Sequence, residues 1–348
     1  MYDIKKISVA LVTYNGERFI KEQLLSIIHQ TRMVDEIVVS DDGSQDNTLR
    51  IVEEISKSDN AKGISFQIIT DNPRHGCGGN IEWALKHTSG DIIFISGQDD
   101  IWLPEKVEYV AKVFEEHEDA HLVSHHADKI DENGEKIQSD FLLPMNQSVT
   151  IKKIKKGFDS KVNVTIAQIL SSFIVPGMTF SITRDFLKKV YRIPTFAEDQ
   201  WIEFLAIIDD GYYFLNQDLT HYRKHKDNTS CSNSKGLKRI IKFFELFKVK
   251  PSYIVSYLYL FELGNGFVNR MKEKDLEETD DYKVACRIFD IGTKKKDAFD
   301  KGRLRGSIAL IKMYVKDVRY RRIGFWGFLQ DYVFILKYGG DKTLIFDL

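Results

Sequence analysis

Along the first hundred positions, short continuous apolar runs alternate with stretches of helical spacing. Ile7–Val12 is rich in branched residues and predicts a buried central strand. It breaks at the polar turn Thr13-Tyr14-Asn15-Gly16. From Glu17 to Gln30 apolar residues recur as Phe19, Ile20, Leu24, Leu25, Ile27 and Ile28, which is the period of a helix. Asp35–Ser40 predicts a second buried strand, closing on Asp41-Asp42-Gly43-Ser44, and Asp46 or Asn47 can cap the helix that follows. Phe66–Thr70 reads as a third strand, before a turn-rich segment over 71–80 and a helix from about Asn80 to His87. Asp91–Ile95 is the fourth strand, and it stops abruptly at Gln98-Asp99-Asp100.

Strands alternating with helices predict an α/β fold with a doubly wound, mostly parallel sheet flanked by helices. Every polar tip then lies at a strand's carboxyl end, the edge where such sheets bind ligands. Neither a GxGxxG after the first strand nor a GxxxxGK[ST] occurs, which argues against an NAD-type oxidoreductase and a P-loop enzyme. Adjacent carboxylates at Asp99 and Asp100 repel each other, and a bound Mg²⁺ or Mn²⁺ finished by diphosphate oxygens and water relieves that cost.

Farther along, Leu103–His117 predicts a helix with Pro104 in its first turn, and His121–His126 a strand. Asp131–Gly134 predicts a hairpin turn. His125, His126 and Asp128 lack zinc spacing and read as ordinary hydrogen bonding at a sheet edge. Polar residues over 136–170 suit acceptor-contacting loops, and 184–190 predicts a further helix. From Gly236 onward the pattern changes to helices over 237–247, 252–271, 277–297 and 302–319. Two segments there, 238–250 and 318–329, mix basic and aromatic residues. The expected division is a catalytic domain over 1–232 and an α-helical appendage over 233–348. The appendage would meet a membrane surface, or pack on the catalytic domain or a second subunit as a homodimer.

Composition adds exclusions. The 348 residues are 43% hydrophobic and 29% charged, an ordinary globular balance. A net charge of −1 carries no nucleic-acid signature. The widely spaced Cys77, Cys231 and Cys286 suit reduced thiols. The N-terminal segment lacks signal-peptide architecture, and no apolar run approaches the roughly 18 residues that cross a bilayer. A cytoplasmic chain is expected.

The strings SVALVTYNGERFIKEQLLSIIHQT, EIVVSDDGSQDNT and SGQDDIWLPEK resemble a family 2 glycosyltransferase of the GT-A fold, over about residues 5–230. The last string is similar to that of bacterial rhamnosyltransferase-like enzymes of surface polysaccharide synthesis. One position departs: where the family's metal motif reads Asp-x-Asp, this chain has Gly97-Gln98-Asp99. The resemblance implies a nucleotide pocket formed by Thr13, Tyr14, Asn15, Glu17, Asp42, Asn80 and Gln98. It implies metal contacts from Asp99, Asp100 and His225, with Arg223 or Lys224 pairing a phosphate. Glu198-Asp199 is similar to the family's second acidic motif, with Asp199 as the general base, kept ionised by a helix N-terminus and the metal. Gly177, Trp102 and Trp201 would meet donor or acceptor sugar, although Trp201 suits core packing equally. The implied activity is inverting transfer of a hexosyl group from a nucleotide-diphosphate sugar, such as dTDP-rhamnose or a UDP-hexose, to a saccharide. That acceptor is expected to be lipid-linked, with the enzyme peripheral on the inner face of the membrane. A second reading follows from Gly97: a non-catalytic nucleotide-sugar or saccharide binding module on the same fold.

Overall fold

In a computed structural model, the described residues are 5–137, 156–162, 164, 175–191, 193, 198–225, 254–316, 331–336 and 339–340. The chain divides into two compact units, Met1–Asn228 and Thr229–Leu348.

The first unit is built on β1 (Ile7–Thr13), β2 (Glu36–Asp41), β3 (Ser65–Ile69) and β4 (Ile92–Ser96), with α1 (Ile20–Ile28), α2 (Thr48–Ser56) and α3 (Cys77–His87) between them. These four strands are mutually parallel in the order β3-β2-β1-β4. The expected βα alternation thus yields the expected half-sheet. Val9, Leu11, Ile37, Val39 and Phe94 are buried with Leu24 and Ile27 of α1 beneath them. Burying branched side chains on a pleated surface favours the strand state and supplies most of the driving force. Register aligns the tips: Thr13 pairs with Asp41, and Leu11 with Ser96.

The remainder of the sheet is mixed. It runs on through β8 (Ser181–Thr183), β6 (Leu122–Ile130), β9 (Tyr212–Arg223) and the two-residue β5 (Ile101–Trp102), while β7 (Asp159–Lys161) also pairs with β9. β8 is antiparallel to β4, and β6 is parallel to β9 with register shifts on both sides of His126. Three helices cover this part: α4 (Lys106–Glu116), α5 (Arg184–Val190) and α6 (Glu198–Ile208). The helix expected from Leu103 begins at Lys106, because Trp102 is drawn into β5 opposite Thr220. The helix expected from Asn80 begins three residues earlier, after Gly76 at φ +90°. Asp131–Gly134 forms the expected hairpin turn, with Gly134 at φ +89°. His125 lies fully buried, not at a sheet edge, and donates from Nδ1 to the His126 carbonyl at 2.7 Å.

The second unit contains α7 (Ile254–Lys272), α8 (Asp280–Asp300) and α9 (Arg303–Lys316), helices close to three of the expected spans. A Lys295–Asp331 ion pair is buried among them at 3.0 Å. The helix expected over 237–247 and the basic, aromatic segments at 238–250 and 318–329 lie outside the described residues.

Candidate active site

The tip of β1 is fastened before any ligand arrives. Thr13 Oγ1 donates to Asp41 Oδ1 at 2.6 Å, and Asp41 also accepts the backbone N–H groups of Gly43 and Ser44. Asn80 is buried and spends its amide on the turn: it accepts from Ser40 Oγ at 2.6 Å and donates to the carbonyls of Ser40 and Thr13. Glu17 accepts from the backbone and side-chain amides of Asn47 at the start of α2. Asn15 adopts φ +48° and ties its backbone N–H to Ser44 Oγ and its side chain to the Gln45 N–H. Thr13, Asn15, Glu17 and Asn80 therefore stiffen the walls. The Tyr14 side chain is 57% exposed, and the Asp42 carboxylate meets His75 Nδ1 at 2.6 Å and the Gly76 N–H at 2.9 Å.

The end of β4 splits its two acids. Asp99 Oδ2 lies 2.8 Å from His225 Nε2. The His225 ring packs on Phe19, with ring centroids 4.7 Å apart. Asp100 turns inward, is 2% exposed, and accepts the Arg223 N–H at 3.1 Å. Burial, then the neighbouring Asp99, holds the Asp100 carboxyl far above the ordinary carboxylate range. Asp100 thus faces the protein interior, whereas Asp99 meets His225. Arg223 is likewise buried, donating from Nε to the Asp99 carbonyl at 2.9 Å and pairing with Glu22. Its guanidinium holds the acid turn. Lys224 donates its backbone N–H to the Ile130 carbonyl.

Beneath the acid turn lies a buried ammonium that the sequence did not single out. Lys106 Nζ donates to the Met178 carbonyl and to Thr220 Oγ1, both at 3.1 Å, and sits 3.9 Å over the Trp102 ring. Burial lowers Lys106 to about 7, against the pull of Asp100. Trp102 is thereby part of the core, 2% exposed and packed on Phe94, and not a sugar platform. Trp201 is also core, stacked on Phe204 with its indole N–H donating to the Val190 carbonyl at 3.2 Å.

The opposite wall is the short helical turn Gly177–Thr179 and the first turn of α6. The Gly177 N–H donates to the Asp199 carboxyl, and a Cβ on Gly177 would collide with Asp199 Oδ1. Enclosure by protein atoms, and then the Glu198 carboxyl, raises Asp199 to about 8. Desolvation here outweighs the helix N-terminus. Cys77, in the first turn of α3, bonds to Glu198 and lies within electrostatic reach of Asp199 and Asp99. Burial first, and these acids next, push its thiol up. The widely spaced position of Cys77 among three cysteines gave no sign of this contact with Glu198.

Asp99 and His225 offer one carboxylate oxygen and one imidazole nitrogen in direct contact. Among the described residues no three His, Cys, Asp or Glu side chains are grouped to hold an ion. Such a pair fits Mg²⁺ or Mn²⁺ that completes its shell with diphosphate oxygens and water.

A parallel half-sheet with acid turns at its carboxyl edge, extended by an antiparallel insertion and β9, defines the GT-A class of glycosyltransferases. More narrowly, residues 8–177 match the model of glycosyl transferase family 2. Over 273 residues the chain is 25% identical to the UDP-Glc:α-D-GlcNAc-diphosphoundecaprenol β-1,3-glucosyltransferase WfgD of Escherichia coli, covering 75% of this chain and 97% of that one. It is 41% identical over 100 residues to the dTDP-rhamnosyl transferase RfbG of Shigella flexneri, covering 28% and 34%. Among solved structures, TarS 1-349 of S. aureus in complex with UDP-GlcNAc matches with a TM-score of 0.51 at 18% identity, over 95% of this chain and 90% of that one. That last likeness speaks to the fold.

Proposed function

We propose that this glycosyltransferase moves a hexosyl group, with inversion, from a nucleoside-diphosphate sugar to a saccharide carried on a lipid diphosphate, in the synthesis of a cell-surface polysaccharide. One observation carries the reading. Glu198, beside Asp199, bonds to Cys77, and Asp199 and Asp99 lie within electrostatic reach of the same thiol, so the acids after β4 and those opening α6 act on one space.

The division of labour follows from which groups are already spent. The Tyr14 ring offers a stacking face for a base, and the Asp42 carboxylate takes donors from the base edge or ribose in place of His75 and Gly76. Asp99 and His225 would hold Mn²⁺ or Mg²⁺, which when bound neutralises charge on the departing diphosphate. Asp199 accepts the proton of the acceptor hydroxyl. As that oxygen bonds to the anomeric carbon, the bond from carbon to the diphosphate oxygen breaks and the nucleoside diphosphate leaves with the bonding pair. No protein nucleophile enters, so configuration inverts. A base with a pKa near 8 is matched to neutral or slightly alkaline operation, because its proton affinity is high while a fair fraction is ionised. Gly177 supplies the close approach that aims the Asp199 carboxyl.

A lipid-linked acceptor is supported by the relative that shares nearly its full length with this chain and acts on a diphosphoundecaprenol sugar. Such an acceptor would place the enzyme at the inner face of the membrane. No helix of the described residues is long and apolar enough to cross one.

The test is release of nucleoside diphosphate from UDP-glucose, UDP-GlcNAc and dTDP-rhamnose, with GlcNAc-diphosphoundecaprenol as acceptor and Mn²⁺, Mg²⁺ or chelator present. Acceptor-dependent release that needs the divalent ion, and is lost in Asp199→Asn, is expected. Binding of a donor without release in any arm would instead mark a non-catalytic binding module.

A further inference from the structure

We infer that α9 is a lipid-contacting helix that seats the second unit on an anionic bilayer surface. The observation is a line of exposed aliphatic side chains. Leu304, Ile308, Ile311 and Val315 are 74%, 46%, 41% and 64% exposed. Their spacing of four, three and four residues stacks them along one face of the helix. Single exposed apolar residues are ordinary on a protein surface, whereas a continuous stripe marks a contact.

The other side of α9 is already occupied. Leu310 and Ser307 are buried, and Gly306 packs so closely on α8 that a Cβ would collide with the Ala298 carbonyl and stand 3.1 Å from the Ile335 side chain. The helix is thus anchored through Gly306 and Leu310, and the stripe is directed away from that packing. Its apolar residues are not held in reserve for the fold.

Charge decides what covers the stripe. α9 carries Arg303, Arg305, Lys312 and Lys316 and has no acidic residue along its length. Among the described residues, Arg303, Arg305 and Lys312 enter no ion pair, although the neighbouring α8 pairs Lys283, Lys294, Lys295 and Lys296 with acids. At about 100° per residue, Arg305 and Lys312 flank the stripe on one side and Arg303 on the other. Their long stems let the charges sit at head-group level while the stripe enters the acyl boundary. A second copy of α9 laid on this face would set these basic flanks against each other without acids to offset them. A surface of anionic lipid head groups supplies the missing charge.

This inference extends the reading of a lipid-linked acceptor, and its test requires no sugar transfer, so failure of one is distinct from failure of the other. The full chain is sedimented with vesicles of phosphatidylcholine alone or mixed with phosphatidylglycerol, at low and high salt, and sized by gel filtration. Wild type is expected to partition into the anionic vesicles at least about tenfold more strongly than into neutral ones, with the difference shrinking in salt. The double variants Ile308→Ser/Ile311→Ser and Arg305→Glu/Lys312→Glu should each lose about tenfold or more of that partition while their thermal melts stay within a few degrees of wild type. Unchanged partition in both variants, or none in wild type, overturns the proposal. A dimer that Ile308→Ser/Ile311→Ser converts to monomer also overturns it, in favour of a second copy on this face.

Discussion

Gln98 grips Tyr14 by both of its backbone polar groups: the Tyr14 N–H donates to Gln98 Oε1 and Gln98 Nε2 donates to the Tyr14 carbonyl, each at 2.9 Å. The amide thereby ties the tip of β1 to the acid turn after β4, across 84 residues of chain. Gly16 completes the fit, because a Cβ there would run into the Gln98 amide. Replacing Gln98 by Ala leaves the two Tyr14 groups to water and frees the exposed ring. Urea unfolding should show a loss of about 1–3 kcal/mol. Calorimetry should show weaker donor binding in the same variant, because the base platform is no longer fixed.

The acid opposite this turn sets the pH dependence. Burial and Glu198 hold Asp199 protonated below about 8, and a protonated carboxyl accepts nothing from the acceptor hydroxyl. Transfer should therefore rise with pH through that value in the free enzyme and fall on the acid side. In Asp199→Asn the profile should flatten and the rate drop by about 10²–10⁴-fold, with donor affinity nearly kept. Gly177→Ala tests the aim of the same carboxyl. The added methyl must displace Asp199 Oδ1, and a shift of about 1 Å can cost on the order of 10²-fold in rate.

The positions of these groups were unequally legible in the sequence. Strand tips could be read because β1, β2 and β4 are continuous apolar runs that stop at polar turns, and parallel pairing then brings Thr13, Asp41 and Ser96 to one edge. What happens within a turn could not. Asp99 and Asp100 are equivalent as letters, and only the Arg223 N–H, 123 positions later, turns Asp100 inward. Trp102 reads as a surface aromatic after a turn, yet pairing with Thr220 makes it a strand residue under a buried ammonium. Asn80 sits at a polar turn in the sequence but is consumed by Ser40 and Thr13. The raised Asp199 escaped notice because enclosure is a property of the packed walls, while the helix N-terminus that opposes it is visible in the chain.

Arg223 illustrates the same distinction and can be tested by stability. Its guanidinium donates to the Asp99 carbonyl and pairs with Glu22, and it stacks 4.9 Å from the Phe19 ring centroid. Arg223→Met keeps the volume and removes the donors, leaving the Asp99 carbonyl without its guanidinium partner. A loss of about 1–3 kcal/mol in unfolding free energy is expected. A phosphate ligand would instead show as a large fall in donor affinity with little change in stability. Thermal melts with and without nucleoside diphosphate separate the two results.

Gly97 marks where the chain lacks the first acid of an Asp-x-Asp pair, and the geometry says what restoring it would do. A Cβ at this position would lie 3.4 Å from Asp99 Oδ1 and 3.9 Å from Asp100 Oδ2. A Gly97→Asp variant would thus bring a third carboxylate close to Asp99 and Asp100. Without a cation, two close carboxylates repel, so the variant should melt lower than wild type in chelator. With Mn²⁺ the order should reverse, since a second oxygen ligand tightens the site and binding to the folded state alone raises the melt in proportion to the logarithm of [Mn²⁺]/Kd. The measurement is the melting shift on titrating Mn²⁺ into both proteins. A larger shift in the variant is expected; equal shifts would mean that the ion does not bind at Asp99.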